Sequence, residues 1–227
     1  MMSGTSLDGL DLALTKLESR GASWSYELLA AKAIPYDADL RSKLDGAIRL
    51  EAAALLEWHQ AYGHWLGEQA RDFLADKRLG ADAVASHGHT VHHQPEHGFT
   101  FQLGCPQKIA LATGLPTIGD FRSLDIALGG QGAPLVPVGD RLLFGDYDGC
   151  LNLGGISNLS FERDGERVAF DIGIANMLLN HISRAAGLDF DRDGLRARSG
   201  KCHEKLLAEL NALEYYQKDI PKSTGYE

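Results

Sequence analysis

The sequence predicts an α/β protein of two domains, and three observations support this fold class. Residues 10–17 and 24–30 alternate apolar with polar or small side chains, a pattern typical of β-strands. Residues 51–79 repeat apolar side chains at intervals of three or four, which indicates one long amphipathic helix. A glycine-rich turn next to a strand begins the chain and recurs near residue 150, so a second domain is expected to start in the same way.

The first predicted domain covers residues 1–128 and alternates strands with helices. Residues 81–86 and 99–103 have the composition of short buried strands, and residues 107–113 form a predicted helix that ends at Gly114. Helices that alternate with strands pack on the faces of a sheet. We therefore expect a sheet flanked by helices.

The second predicted domain covers residues 129–227 and begins at the segment richest in glycine and proline, LGGQGAPLVP. The dipeptide Asp164-Gly165 is a hairpin signal between two strands. The predicted elements are strands at 149–153, 158–163 and 167–172 and helices at 176–186 and 204–213. This domain is also expected to combine a sheet with helices.

Composition limits the partners of the chain. With 227 residues and 44% apolar content it can fill a core, which excludes a disordered protein. The formal charge of -9, from 31 acidic and 22 basic residues, would repel a nucleic-acid backbone, and the basic residues form no patch. No apolar run approaches the roughly 20 residues that span a bilayer, and the start lacks the pattern of a signal peptide. We expect a cytoplasmic protein that binds neither nucleic acid nor membrane.

The glycine-rich turn at the start of the chain is the first candidate phosphate site. Its sequence, SGTSLDGLD, carries small residues that let backbone N–H groups and hydroxyl side chains approach an anion closely. It matches neither the Walker A loop nor the GxGxxG of dinucleotide-binding folds, and a tight hairpin without a ligand is the structural alternative. The candidate phosphate-binding residues here are Gly4, Thr5, Ser6, Leu7, Asp8, Gly9, Leu10 and Asp11.

A second glycine-rich turn, in LNLGGISNLS, offers Gly154, Gly155 and Asn158 to a phosphate group. Taken alone, it is equally an ordinary turn between strands. Two such turns in separate domains are, however, the arrangement by which actin-like folds and sugar kinases hold the phosphates of a nucleotide and its Mg²⁺. The pair of turns therefore favours a nucleotide-binding protein.

Several motifs occur together in an order that resembles one family. They are SGTSLDGLD, SHGHTVHHQP, QLG, IGDFRSLDIALGGQGAPLVP, LNLGGISNLS and FDIGIAN. This order resembles that of the anhydro-N-acetylmuramic acid kinases, from residue 1 to the final PKSTGYE. The resemblance implies an actin-like (ribonuclease H-like) two-domain nucleotidase fold of mixed sheets flanked by helices. Because family members continue beyond KSTG, we expect the C-terminal part of that fold, with its adenine-binding residues, to be missing.

The resemblance also implies an ATP-dependent kinase of cell-wall recycling. Such enzymes open the 1,6-anhydro bridge of 1,6-anhydro-N-acetylmuramic acid with water and phosphorylate the freed 6-oxygen. The products are N-acetylmuramate 6-phosphate and ADP. Mg²⁺ is expected on the ATP phosphates, assisted through water by Asp8 or Asp171. The family further implies a homodimer.

Asp171, in FDIGIAN, matches the family's catalytic carboxylate and lies near the end of a predicted strand. A carboxylate can orient and deprotonate the attacking water while C1 of the sugar develops positive charge. An Asp between a strand and a helix is otherwise often a helix N-cap, and that alternative stays open. Ile172 and Ile174 replace the family's Thr and Pro, and Ala175 replaces a Gly, so the pocket could be narrower here.

Gly88, His89 and Thr90 match the family's sugar-side loop, although His89 stands where the family usually has Gln. Asp120 and Arg122 match its substrate-binding pair. Since a guanidinium recognises a carboxylate through two parallel hydrogen bonds, Arg122 is expected to bind the lactyl carboxylate of the sugar. The structural alternative for Asp120 and Arg122 is a local ion pair.

A transition-metal site is the alternative that the histidines suggest. The cluster comprises His87, His89, His92, His93 and His97. Their spacing does not match one face of a helix and no cysteine joins them, so a solvated histidine-rich loop is expected instead. The three cysteines, which are far apart, favour a reducing compartment. Two other functions thus stay open: a non-catalytic actin-like nucleotide-binding module, and a histidine-based metal hydrolase.

Overall fold

The structure, a computed structural model, describes residues 1–4, 7–21 and 23–222. The chain forms two compact units, Met1–Leu135 and Val136–Glu227. The division falls within the segment rich in glycine and proline. Both units contain strands and helices, which confirms the α/β class. No helix in the described part of the chain is long and apolar enough to cross a bilayer.

Strand pairing forms the frame of the first unit. Its strands are β1 (Met2–Ser3), β2 (Gly9–Arg20), β3 (Ser23–Pro35), β4 (Val84–Ala85), β5 (His89–Gln94), β6 (Phe99–Leu103) and β7 (Thr117–Ile118). In one sheet of this unit β3, β2, β1, β5 and β6 lie side by side in that order. β1 is antiparallel to β2 and parallel to β5, so the start of the chain joins two hairpins. β4 and β7 form a separate parallel pair.

Helices pack on this frame and close its core. They are α1 (Ala38–Gly46), α2 (Ala52–Lys77), α3 (Pro106–Thr113) and α4 (Ser123–Ala127). α2 confirms the long helix predicted at 51–79, and its buried side chains Tyr62, Leu66 and Phe73 lie on one stripe. Burial of each such side chain stabilises the fold by about 1.5–3 kcal/mol. The sequence did not predict α1, which begins where Oδ1 of Asp37 accepts the N–H of Leu40 at 2.8 Å.

The histidine-rich segment is a strand, and the prediction of a solvated loop there was wrong. β5 pairs with β1 on one side and with β6 on the other, and His89 and Val91 are buried. A neutral imidazole can be buried when it has a hydrogen-bond partner, so a polar-looking segment can lie inside a sheet. The strand predicted at 81–86 is also shorter than expected and covers Val84–Ala85.

The second unit begins with a helix, continues with an antiparallel sheet and ends with four short helices in its described part. Its strands are β8 (Gly149–Leu153), β9 (Ile156–Arg163) and β10 (Glu166–Ile174), with β9 in the centre of the sheet. Its helices are α5 (Val136–Leu143), α6 (Asn176–Ala185), α7 (Leu195–Ser199), α8 (Glu204–Asn211) and α9 (Glu214–Gln217). Asp164 and Gly165 have φ of 55° and 83°, so the predicted two-residue hairpin turn is confirmed.

Candidate functional site

The first glycine-rich turn connects β1 to β2. Leu7 has a left-handed backbone, with φ of 56°, and donates its N–H to the carbonyl of Gly4 at 3.3 Å. Asp8 and Asp11 are exposed, whereas the side chain of Leu10 is buried in the core. Leu10 can therefore offer a ligand only its backbone. Two further predicted ligands lie outside the described residues, Thr5 and Ser6.

The glycines of the candidate site differ in whether the surrounding packing leaves room for a side chain. A Cβ at Gly9 would lie 2.5 Å from the carbonyl oxygen of Ile34, and one at Gly88 would collide with the carbonyl of Leu103. The fold itself requires these two glycines. At Gly154 and Gly155 a Cβ would meet other atoms only at 3.5 Å and 3.8 Å, which are ordinary contact distances. Packing within the fold therefore does not require glycine at 154 and 155. The lack of side chains there would let a ligand approach the backbone closely.

A buried group of polar side chains lies next to the first turn, and we call it the hydroxyl cluster: Ser3, Tyr36, Tyr62 and His89. Tyr36 and Tyr62 donate hydrogen bonds to Oγ of Ser3 at 2.7 and 3.0 Å. Oγ of Ser3 lies 3.3 Å from Nδ1 of His89. The hydroxyls of Tyr36 and Tyr62 also lie 2.9 Å apart, so the four side chains form one connected network. Through Ser3, at the end of β1, the cluster connects β1 with Tyr62 of α2 and with His89 of β5. It lies immediately before the first glycine-rich turn.

Burial keeps the hydroxyl cluster uncharged. Desolvation lowers the pKa of His89 to about 4 and raises the pKa of Tyr36 and that of Tyr62. His89 is therefore neutral at pH 7. Sequence reasoning did not find the cluster because its bonded members are at least 26 positions apart.

Strand β5 presents the predicted sugar residues on opposite faces. His89 is only 5% exposed and contacts Ser3 in the hydroxyl cluster, so its side chain points to the interior. Thr90, the next residue, is partly exposed and lies opposite Gln102 of β6. Successive side chains of a strand point to opposite faces. Of the two, Thr90 is the one whose side chain a sugar can reach.

Arg122 meets the histidine-rich segment at the end of the β4–β7 pair. Ser86 donates its N–H to the carbonyl of Ile118 at 2.9 Å, so the loops after the two strands leave from the same edge. There Nε and Nη2 of Arg122 lie 3.1 and 2.8 Å from Nε2 of His87. Nη1 of Arg122 donates to the carbonyl of Gly132 at 2.5 Å. This parallel pairing brings together residues that are distant in the sequence.

Within the described part of the chain, Asp120 contacts the start of a helix and does not form the ion pair with Arg122 that was considered as the structural alternative. Its Oδ1 accepts the N–H of Ser123 at 3.2 Å, at the start of α4, and its backbone is left-handed with φ of 53°. The guanidinium of Arg122 instead contacts the imidazole of His87 and the backbone carbonyl of Gly132. Among the described residues, therefore, no ion pair joins Asp120 to Arg122.

The second glycine-rich turn contacts the start of α6. The N–H of Ala175 donates to the carbonyl of Gly155 at 2.9 Å, and that of Asn176 donates to the carbonyl of Gly154 at 3.1 Å. Ala175 is the N-cap residue of α6. The structure thus excludes the alternative that Asp171 is the N-cap of this helix.

Asp171 lies on β10 directly opposite Asn158 of β9. Directly paired residues of neighbouring antiparallel strands share a face of the sheet. A β-bulge follows, in which Gly173 pairs with Ser157 and Ile172 is the extra residue. Bulges redirect neighbouring side chains and are frequent next to active sites. The structure therefore brings the predicted base and one predicted phosphate-binding residue together.

The last described residues hold the backbone of Asp171. Its N–H donates to the carbonyl of Lys222 at 2.9 Å, and its carbonyl accepts from the hydroxyl of Tyr215 at 2.6 Å. Nζ of Lys222 donates to the carbonyl of Tyr215 at 3.0 Å. Burial and the carboxylate of Asp171 raise the pKa of Tyr215. Sequence reasoning missed both partners, because no local pattern connects residues so far apart.

Neither the histidines nor the acidic residues form a metal centre in the part of the chain that the structure describes. No group of three or more His, Cys, Asp or Glu residues is arranged there to hold a metal ion. His87 and His89 face different partners, Arg122 and Ser3. These two histidines, just before β5 and at its first residue, thus make separate contacts.

Comparison with known proteins gives one consistent result. The family model described as anhydro-N-acetylmuramic acid kinase matches residues 1–227. Curated proteins of that name from Pseudomonas paraeruginosa and Pseudomonas putida are 41% and 42% identical to this chain over its whole length. One from Aliivibrio fischeri is 39% identical over the same extent. The chain spans 64% of the length of each of these relatives.

Proposed function

The chain belongs to the anhydro-N-acetylmuramic acid kinase family, and we propose that it carries the catalytic base and the sugar site of an ATP-dependent kinase acting on 1,6-anhydro-N-acetylmuramic acid. The observation that carries this proposal is the direct pairing of Asp171 with Asn158. Next to this pair is the second glycine-rich turn, in which packing does not require glycine. The reaction yields N-acetylmuramate 6-phosphate and ADP.

Asp171 acts in this proposal as the general base. It accepts a proton from water as the water oxygen bonds to C1 of the sugar and the bond from C1 to the 6-oxygen breaks. The freed 6-oxygen then bonds to the γ-phosphorus of ATP, and the bridging oxygen leaves with ADP. One proton is released overall. The two backbone bonds to Tyr215 and Lys222 support the role of Asp171, because they restrict how the strand can move.

Arg122 is proposed to bind the lactyl carboxylate. A guanidinium has five N–H donors, and the bonds to His87 and Gly132 use three of them. The two that remain are one on each terminal nitrogen. Two donors are what a bidentate bond to a carboxylate needs. Thr90 is proposed as a neighbouring sugar contact, because its side chain is partly exposed on β5.

The proposal extends to the fold and its partners. We place the chain in the actin-like class, with domains at 1–128 and 129–227 that each carry one proposed phosphate-binding turn. Mg²⁺ would be held by the ATP phosphates, and exposed Asp8 offers the hard oxygen ligand that this ion prefers. Mg²⁺ supplies charge neutralisation on the phosphates when bound. A homodimer belongs to the same proposal and is checked by light scattering of the purified protein.

Substitution of the base tests the proposal. We expect Asp171→Asn to lower ATP-dependent phosphorylation of the anhydro sugar by about 10²–10⁴-fold, since that is the usual contribution of a general base. ATP binding, measured by calorimetry, should persist. The matched control is Asp164→Asn in the exposed hairpin turn, which should keep full turnover. Undiminished product from Asp171→Asn, followed by ³¹P NMR, would reject the assignment. Binding of ATP by a wild type that binds no sugar would favour a nucleotide-binding module instead.

A further inference from the structure

His87 is a half-buried histidine that the proposed reaction does not use. Its Nδ1 lies 2.9 Å from the carbonyl oxygen of Gly88. Its Nε2 lies 3.1 and 2.8 Å from two nitrogens of Arg122. The imidazole therefore stands between a backbone carbonyl and a guanidinium.

These two partners fix the protonation of His87. A carbonyl oxygen only accepts hydrogen bonds, so Nδ1 must carry a proton. A guanidinium only donates, so Nε2 must offer its lone pair. The ring is thus the neutral Nδ1–H tautomer. Burial is the main cause that lowers the pKa of His87, and the positive charges of Arg122 and the N-terminal amine act in the same direction.

We propose that His87 is a positioning residue that orients Arg122 for the lactyl carboxylate of the sugar, an inference that rests on the proposed function. Two adjacent donors of the guanidinium, Nε–H and one Nη2–H, converge on a single ring nitrogen. This contact sets the plane and direction of the guanidinium. Among the described residues, these contacts leave one N–H on each terminal nitrogen of the guanidinium for a planar acceptor.

The segment LGGQGAPLVP completes the support of Arg122. The carbonyl of Gly132 accepts from Nη1 of Arg122. Gly132 is itself held, because its N–H donates to Oδ2 of Asp125 at 2.6 Å. The N–H of Gly130 donates to the backbone carbonyl of Asp125 at 2.8 Å. The guanidinium is therefore fixed from two sides, by the histidine-rich segment and by the segment rich in glycine.

The tautomer can be measured without any substrate. In ¹⁵N-detected histidine spectra of the full chain at pH 7.5, we expect His87 to show a protonated Nδ1 and an unprotonated Nε2. Arg122→Met should shift the Nε2 resonance while His97, which is exposed, stays unchanged. An Nε2–H tautomer or an imidazolium at this pH would overturn the inference.

Sugar discrimination measures the positioning role. The probes are 1,6-anhydro-N-acetylmuramic acid and the same anhydro sugar without its lactyl ether. We expect His87→Leu to weaken binding of the acid by about tenfold, as for loss of one charge-assisted hydrogen bond, and to leave the other sugar unaffected. His87→Gln, which keeps a donor and an acceptor, should restore most of the preference. His97→Leu is the exposed control.

The outcomes separate this inference from the proposed function. If the wild type prefers the acid and His87→Leu keeps that preference while Arg122→Met loses it, the function stands and the role of His87 is rejected. If the wild type binds neither sugar although His87 has the expected tautomer, the proposed function is rejected. The proposed role of His87 in carboxylate binding is then rejected as well. Loss of preference in His87→Leu and Arg122→Met alike, without loss in the control, supports the inference.

Discussion

The two units of the chain bury their apolar side chains to very different extents. In the first unit, Tyr62 and Leu66 of α2 are fully enclosed by the sheet and its helices. Among the described residues, no buried apolar side chain lies beyond Ile126. In the second unit, Leu153 and Ile174 are 63% and 56% exposed although they lie on strands. Apolar burial is the dominant stabilising term in folding, so the first unit contains most of what holds this chain folded.

This difference extends to the candidate site residues. In the first unit, Arg122 and Ser3 are held by side-chain hydrogen bonds to other elements. In the second, Asp171 is held by strand register and by bonds to its backbone. A substitution in the first group should change both stability and site geometry. A substitution of the Asp171 side chain should change chemistry while the backbone bonds to Lys222 and Tyr215 stay in place.

The largest expected effect separates the two packing environments. Leu66→Ala removes a fully buried side chain of α2 and should lower the free energy of unfolding by about 2–5 kcal/mol. Leu153→Ala, at an exposed position of β8, should change it by no more than about 0.5 kcal/mol. Urea denaturation followed by circular dichroism checks both values. Equal losses would contradict the contrast between the units.

A pH-dependent loss of stability is expected in the first unit and depends on His89. Its pKa is lowered to about 4 in the fold, so between pH 6.5 and 4 the unfolded chain binds a proton that the folded chain does not. Stability from this residue is complete above pH 6.5 and falls by at most about 3 kcal/mol as the pH approaches 4. His89→Gln should remove this slope.

Tryptophan fluorescence makes that measurement specific to the first unit. Trp24, Trp58 and Trp65 all lie there, so their signal does not report unfolding of the second unit. Urea midpoints at pH 7.5, 6 and 5 should fall more steeply for the wild type than for His89→Gln. The other groups that titrate in this range are shared by both proteins and cancel in the difference. Parallel slopes would show that His89 is not held neutral.

A smaller effect is expected from the hydroxyl of Ser3. Ser3→Ala leaves the buried hydroxyls of Tyr36 and Tyr62 without their common acceptor, which should cost about 1–3 kcal/mol. Ser199→Ala, which removes an exposed hydroxyl that donates to the carbonyl of Arg196, is the control and should change stability little. The same fluorescence experiment applies. A Ser3→Ala variant as stable as the wild type would mean that the cluster contributes nothing to the fold.

Local patterns in the sequence were enough to predict the long helix α2, the hairpin at Asp164-Gly165 and strand β8. Each of these depends on spacing or turn chemistry within a few residues. The family motifs also indicated Asp171 and Asn158, and the structure pairs them across two strands. Their joint position was expected only in outline, since the bulge at Ile172 has no signal in the sequence.

The contacts that could not be predicted are those between distant residues. The bonds from Arg122 to His87 join positions 35 apart, and that from Ser3 to His89 joins positions 86 apart. Both depend on which strands pair, and β1 has only two residues to indicate its place between β2 and β5. The buried state of His89 is likewise a consequence of that pairing, which is why a solvated loop was the wrong prediction.

Hydrogen exchange with added ligands tests the central claim most directly. We expect 1,6-anhydro-N-acetylmuramic acid to slow exchange of the backbone amides in segments 86–94 and 119–132, where Thr90 and Arg122 lie. A non-hydrolysable ATP analogue with Mg²⁺ should instead protect segments 4–11 and 153–158. Protection by the sugar confined to other segments, with none near Arg122, would contradict the account.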